Sequence, residues 1–132
     1  MPDEVARNLS KYRLEKAKEC LDSAKLTYDA GQFATAANRS YYAIFHSARA
    51  VLALDGIDRK KHSGVISYFQ EHYIKTKVFD KQFSYIIKNA FMVRQESDYE
   101  DFYIISKEDL EEQIADAEKF VLEVEKYILS II

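Results

Sequence analysis

The residues best suited to chemistry sit where a hydrophobic pattern is broken. A stripe runs Phe83, Ile87, Phe91, Arg94, Asp98, stepping by four, four, three and four residues, the spacing of one helix face. A guanidinium and a carboxylate therefore share a face with three large apolar side chains. Charges placed there must be paired or must line a cleft, because unpaired burial is costly. The four-residue spacing lets Arg94 and Asp98 reach each other. Tyr99 follows directly and could cap or flank the pair. The plainer alternative is a salt bridge at a fraying helix end.

A second concentration of functional groups is the run Asn38-Arg39-Ser40-Tyr41-Tyr42-Ala43-Ile44-Phe45-His46. On a helix, Asn38, Tyr42, Phe45 and Arg49 share one face, and Arg39, Tyr42 and His46 share the adjacent one. Such a helix can present hydrogen bonds into a groove beside its core stripe. Tyr41 reads better as a core residue with its hydroxyl at the rim. His62 follows Arg59-Lys60-Lys61 at a helix start, a cluster that could hold a phosphate or could be a solvated turn. His72 reads as a surface residue. The three histidines and the single cysteine, Cys20, show no metal-ligand spacing. No glycine-rich phosphate loop or nucleophile elbow is present. No metal or cofactor is expected.

Five helical segments would position these groups. The first spans about Asp3 to Ala30, with Leu14, Ala17, Leu21, Ala24 and Tyr28 on one face, and Gly31 stops it. The second spans about Gln32 to Leu54, with a stripe of Ala34, Ala37, Tyr41, Ile44, Ala48, Val51 and Leu52, and ends at Asp55-Gly56. A shorter third spans about His62 to Lys75, with Val65, Ile66, Phe69 and Tyr73 inward. The fourth spans about Lys81 to Asp98, its stripe widened by Ile86 and Ala90. The segment Tyr99 to Ile105 reads as a connector that could be extended. The last helix opens at Ser106, paired with Asp109 in the manner of a capping box. It then steps Leu110, Ile114, Ala117, Val121, Val124, Ile128, Ile131 without a break. The pattern predicts an all-α fold: an antiparallel up-and-down four-helix bundle with one additional short helix, forming a single domain over 1–132.

Bulk properties agree. The 132 residues are 48% hydrophobic and 31% charged, with three Gly and one Pro, a globular composition with little loop punctuation. Ten Tyr and eight Phe supply large buried area. The formal charge of −3 disfavours general coating of nucleic acid, though a local basic patch remains compatible with it. One cysteine makes no internal disulfide, no apolar run approaches a bilayer span, and Met1-Pro2-Asp3-Glu4 lacks the parts of a signal peptide. A cytoplasmic protein is expected.

The run from Asn38 to Ala48 resembles the second helix of HEPN-domain proteins, and more specifically the small stand-alone branch called UPF0332. Lys61-His62-Ser63-Gly64-Val65, Arg94-Gln95-Glu96-Ser97-Asp98-Tyr99 and Ala115 to Phe120 agree with it in order and spacing. The resemblance covers nearly the whole chain. It implies a helical bundle that often dimerises and that pairs with a minimal nucleotidyltransferase, in many members as toxin and antitoxin. The HEPN partner there is often a metal-independent RNase whose motif is Arg, four to six residues, then His. Counted from Arg94, those positions hold Tyr99, Glu100 and Asp101, and no His follows His72. The chemistry misses that histidine. Asp98 beside an arginine is a weaker base than usual, and tyrosine, with a pKa near 10, is a poor one. His46 or His62 could substitute only if folding or a second subunit brought it beside Arg94.

Three functions are therefore in play. The first is a binding module, a homodimer partnered with a nucleotidyltransferase, with nucleotide or RNA phosphate meeting Asn38, Arg39, Tyr42, His46, His62, Arg94, Asp98 and Tyr99. The second is an RNase toxin acting through Arg94, Asp98 and Tyr99. The third is a purely structural helical dimer. The first is the expected one.

Overall fold

A computed structural model of the chain describes the backbone of residues 2–99 and 104–132 and the side chains of residues 2–96 and 104–132. All regular structure among them is helical: α1 Glu4–Asp29, α2 Phe33–Leu54, α3 His62–Phe69, a π-helical turn Gln70–Ile74, α4 Gln82–Tyr99 and α5 Lys107–Ile131. The caps are local and chemical. The Asp3 carboxylate accepts from the Ala6 amide at 2.8 Å, and the Ser106 hydroxyl accepts from the Asp109 amide at 3.1 Å, so each satisfies an amide the helix itself cannot. Gly31 and Gly56 take φ of +77° and +69°, conformations that glycine adopts cheaply as α1 and α2 end.

The core is organised around α2, which packs against α1, α3, α4 and α5. Fourteen of its 22 residues are buried, a wide buried surface that leaves a polar row of Asn38, Arg39, His46 and Arg49 partly exposed. Its broadest contact is with α1. Buried alanines on both helices, Ala17 and Ala24 with Ala43 and Ala50 among them, suit a close approach. Across that seam the Ser10 hydroxyl donates to the Ala50 carbonyl at 2.7 Å. The expected α2 stripe is shifted at its start: Ala34 is exposed, and Ala36 is buried beside the expected Ala37. Those two pack with Ile105 and Leu110 in a small second cluster that seats the start of α5.

Two further features depart from the simple stripes. On α5, Ile131 is exposed while Phe120 is fully buried. Phe120 meets Phe69 and Phe83 at ring distances of 5.5 and 5.8 Å. Because α5 packs against α1, α2 and α4, its buried face is wider than one stripe. The third helix also ends differently from expectation, in the π-helical turn closed by the Lys75 amide on the Gln70 carbonyl at 2.9 Å. The extra residue in that turn places Tyr73 inward, 4% exposed, against Phe69 and Phe79. Its hydroxyl donates to Asp55 at 2.5 Å, and Tyr68 donates to the same carboxylate at 3.2 Å. Burial, then the bond to Asp55, pushes the Tyr73 phenol far above its ordinary range, so it stays a donor. The end of α2 is thereby tied to the π turn. Tyr73→Phe keeps the ring and removes one of the two tyrosine donors to Asp55, so it is expected to lower unfolding free energy by about 1 kcal/mol in urea titrations. Wild-type stability would show that the hydroxyl contributes nothing.

Candidate functional site

Three aromatic residues of α2 build the floor of the site. Tyr41 lies in the core, 1% exposed, and its ring stacks on Phe45 one turn later at 5.9 Å. Tyr42 is half-buried and stands edge-on to Tyr41 at 5.1 Å. A buried phenol must hydrogen-bond, and Tyr41 does so to Nδ1 of His62 at 2.7 Å. His62 is the first residue of α3. The link after α2 brings it back over the rings, where it stacks on Phe45 at 4.1 Å and meets the Tyr42 ring at a right angle at 5.9 Å.

Arg94 arrives from α4. Its guanidinium carbon lies 5.4 Å from the Tyr41 centroid and 5.6 Å from that of Tyr42, where a cation gains about 0.5 to 2 kcal/mol from the ring quadrupole. Arg39 lies over the same Tyr42 ring at 5.6 Å. The Asn38 carbonyl holds that guanidinium, accepting from Nε at 3.1 Å and from a terminal nitrogen at 2.7 Å. The structure thus gathers Asn38, Arg39, His62 and Arg94 around the half-buried Tyr42 ring and the buried Tyr41 beside it. It places a histidine and Arg94 on a shared ring, Tyr41, although the two stand 32 positions apart in sequence.

His46 belongs to the margin of this group. Its ring touches Tyr42 and Phe45 at 5.8 and 5.9 Å, and it turns toward the groove between α1 and α2. Burial, followed by the nearby Arg49, Lys16, Arg13 and Arg39, lowers its pKa to about 4. Below that groove, Asp58 bridges Arg13 at 3.3 Å and Arg49 at 3.1 Å. The two guanidinium groups hold its carboxyl below the ordinary range, Arg49 most strongly. Arg13 also donates to the Arg49 carbonyl at 3.3 Å.

Other expectations fare differently. The side chains of Asp98 and Tyr99 lie outside the described residues, and so does the proposed pairing of Arg94 with Asp98. Arg59, Lys60 and Lys61 are exposed, and Arg59 lies over the Tyr68 ring at 5.7 Å, a solvated turn more than a pocket. Tyr41 is core with its hydroxyl engaged, as read from sequence. His72 is exposed and stacks on Tyr68 at 4.1 Å. Sequence spacing placed Arg49 on the face of Asn38, Tyr42 and Phe45 but gave no notice of Arg13 or Asp58. Its missed signal was the second row on α1, Ser10, Arg13, Ala17, Cys20, Ala24, all buried and spaced three, four, three, four, which places an arginine on a buried face.

Comparison with known proteins agrees with this architecture. The family profile of the HEPN domain matches residues 10–127. A UPF0332 protein of Thermotoga maritima is 34% identical, covering 89% of each chain. A protein of Methanocaldococcus jannaschii named as a toxin candidate is 33% identical, over 89% of this chain and 80% of its own. A second so-named protein of that organism is also 33% identical, over 90% and 88%. The chain belongs to the HEPN domain family, and its relatives include those named UPF0332. Among the described residues, no helix is long and apolar enough to cross a membrane.

The depressed His46 pKa has a testable consequence. The unfolded chain, with an ordinary histidine pKa of 6.5, takes up a proton before the folded chain does. Stability therefore falls as pH drops from about 6.5 toward 4, a loss that His46→Gln should remove from the pH profile. Imidazole NMR should place the His46 midpoint near 4, and a midpoint near 6.5 would contradict the burial and the surrounding charge.

Proposed function

We propose that this HEPN domain is one half of a toxin–antitoxin-like pair, a binding module partnered with a minimal nucleotidyltransferase, and that the cluster around Arg94 receives the phosphate of a nucleotide or of RNA. The observation that carries the reading is Arg94 lying over two tyrosine rings with His62 on the same floor. A guanidinium supplies the charge and the paired donors that a phosphate takes, and the half-buried Tyr42 offers a ring edge and face beside it. Asn38 fixes Arg39 at the same ring, so a second cation stands ready. The toxin-candidate names of two relatives support the wider role. The bundle is read as antiparallel and up-and-down, centred on α2. It is read as a cytoplasmic homodimer, with Tyr85 and Met92, 65% and 51% exposed on α4, offering an apolar face on the helix that carries Arg94.

A second reading, a metal-independent RNase, is favoured by one observation. The motif histidine is missing after Arg94, yet His62 shares the Tyr41 ring with Arg94. In that reading His62 would move the proton while Arg94 stabilises phosphate charge, and Asp98 and Tyr99 would be accessory.

The two readings separate in one set of assays. As a binder, the chain gains thermal stability with nucleotide or short RNA, Arg94→Ala loses that gain, and RNA stays intact at high protein concentration. As an RNase, it cleaves RNA and arrests growth on expression, and Arg94→Ala and His62→Ala each abolish both effects. Equal melting temperatures with and without ligand, together with intact RNA, would remove both and leave a structural dimer.

A further inference from the structure

Between α4 and the first turns of α5 lies a pocket of about 250 Å³, and at it stands the buried side chain of Gln113, 4% exposed. Its orientation is fixed by α2. The Gln113 amide nitrogen donates to the Ala37 carbonyl at 3.1 Å and to the Ser40 hydroxyl at 2.7 Å. Ser40 can accept there because its own proton goes to the Ala37 carbonyl at 2.9 Å. Two acceptors on that side demand the NH2 group, so the carbonyl oxygen Oε1 takes the opposite side, at the pocket. There it is buried and has no hydrogen-bond partner, which is rare for an enclosed acceptor.

The charge around this oxygen has one sign. Glu96 of α4 and Asp109 and Glu112 of α5 line the pocket, and no Lys, Arg or His does so among the described residues. Asp109 lies in the first turn of α5, where a carboxylate offsets the helix dipole. That account does not extend to Glu96 or Glu112, and neither forms an ion pair among the described residues. Nor could any group of three His, Cys, Asp or Glu among those residues hold a metal ion. What the pocket lacks is a positively charged hydrogen-bond donor of organic size. Met92, Val93 and Ile105 complete the wall and suit the alkyl stem on which such a head is carried.

We propose that this pocket binds an aliphatic cation, a guanidinium or primary ammonium head on a short alkyl stem, with Gln113 Oε1 accepting from the head and Glu96 and Glu112 balancing its charge. A free amine and an arginine side chain share that chemistry. The site is separate from the Arg94 cluster and does not rest on the function read there.

The test titrates the full chain with agmatine as the free cation, N-acetyl-arginine methylamide as the peptide form, and tetramethylammonium, which carries charge and no donor, at matched ionic strength. Calorimetry gives affinity, and the Gln113 side-chain amide resonances report locally. Agmatine or the arginine amide should shift those resonances, and tetramethylammonium should not. Tighter binding of agmatine assigns the site to free amines, and equal or tighter binding of the arginine amide assigns it to a peptide side chain. Gln113→Met should weaken binding by about tenfold or more. Should that core variant fail to fold, Glu112→Gln, an exposed change, still decides, with an expected loss of about threefold. Glu15→Gln removes the same charge from α1 and should change affinity by less than about twofold. The proposal is overturned if neither donor-bearing probe moves Gln113 beyond the effect of tetramethylammonium, or if Glu112→Gln weakens binding no more than Glu15→Gln does.

Discussion

The hydroxyl of Tyr41 is the constraint on which the site depends. The ring is enclosed by the core, and an enclosed phenol without a partner costs about 1 to 3 kcal/mol. His62 is that partner, so the first residue of α3 is fixed against the middle of α2 by a polar bond at the edge of an apolar core. The same ring lies under Arg94, which fixes α4 to the same point. One side chain thus joins three helices and brings together an imidazole and a guanidinium that the sequence separates. Phe45 and Tyr42 complete the floor because they follow Tyr41 by four positions and by one.

The charge of the molecule is distributed with a purpose visible only in three dimensions. The acidic total hides a cationic crevice between α1 and α2, and Arg39 belongs to both regions: it lines the crevice and lies over Tyr42 beside Arg94. Tyr42 is therefore flanked by two guanidinium groups from different helices. Asp58 limits the repulsion below by bridging Arg13 and Arg49, and burial keeps His46 neutral instead of adding a further charge. The positive surface is thus tuned by a carboxylate and a deprotonated imidazole.

The helices were legible from spacing, because three- and four-residue repeats follow directly from helix geometry, and the Ser106 cap was legible from chemistry. The π turn was not, since its signature is a hydrogen-bond shift and not a residue pattern. Ala34 misled because the first turn of α2 turns Ala36 inward and leaves Ala34 facing water. Among the site residues, Arg94 announced itself by interrupting an apolar stripe, and Asn38 to His46 by carrying polar groups beside one. Arg13 did the same on α1 but was masked by the clearer neighbouring stripe through Leu14. Asp58 carried no signal at all, since its role arises only when a loop meets two helices. The meeting of His62 with Arg94 over Tyr41 is a property of tertiary packing that no spacing encodes.

The central claim is that the Arg94 guanidinium is held over the Tyr41 and Tyr42 rings in the unliganded protein. Side-chain NMR of arginine-labelled chain tests it directly, because protons above an aromatic face are shifted upfield. The account predicts an upfield-displaced Arg94 side-chain resonance that moves toward its ordinary position in Tyr42→Leu. An Arg94 signal at the position of a solvated arginine, unaffected by that substitution, would contradict it.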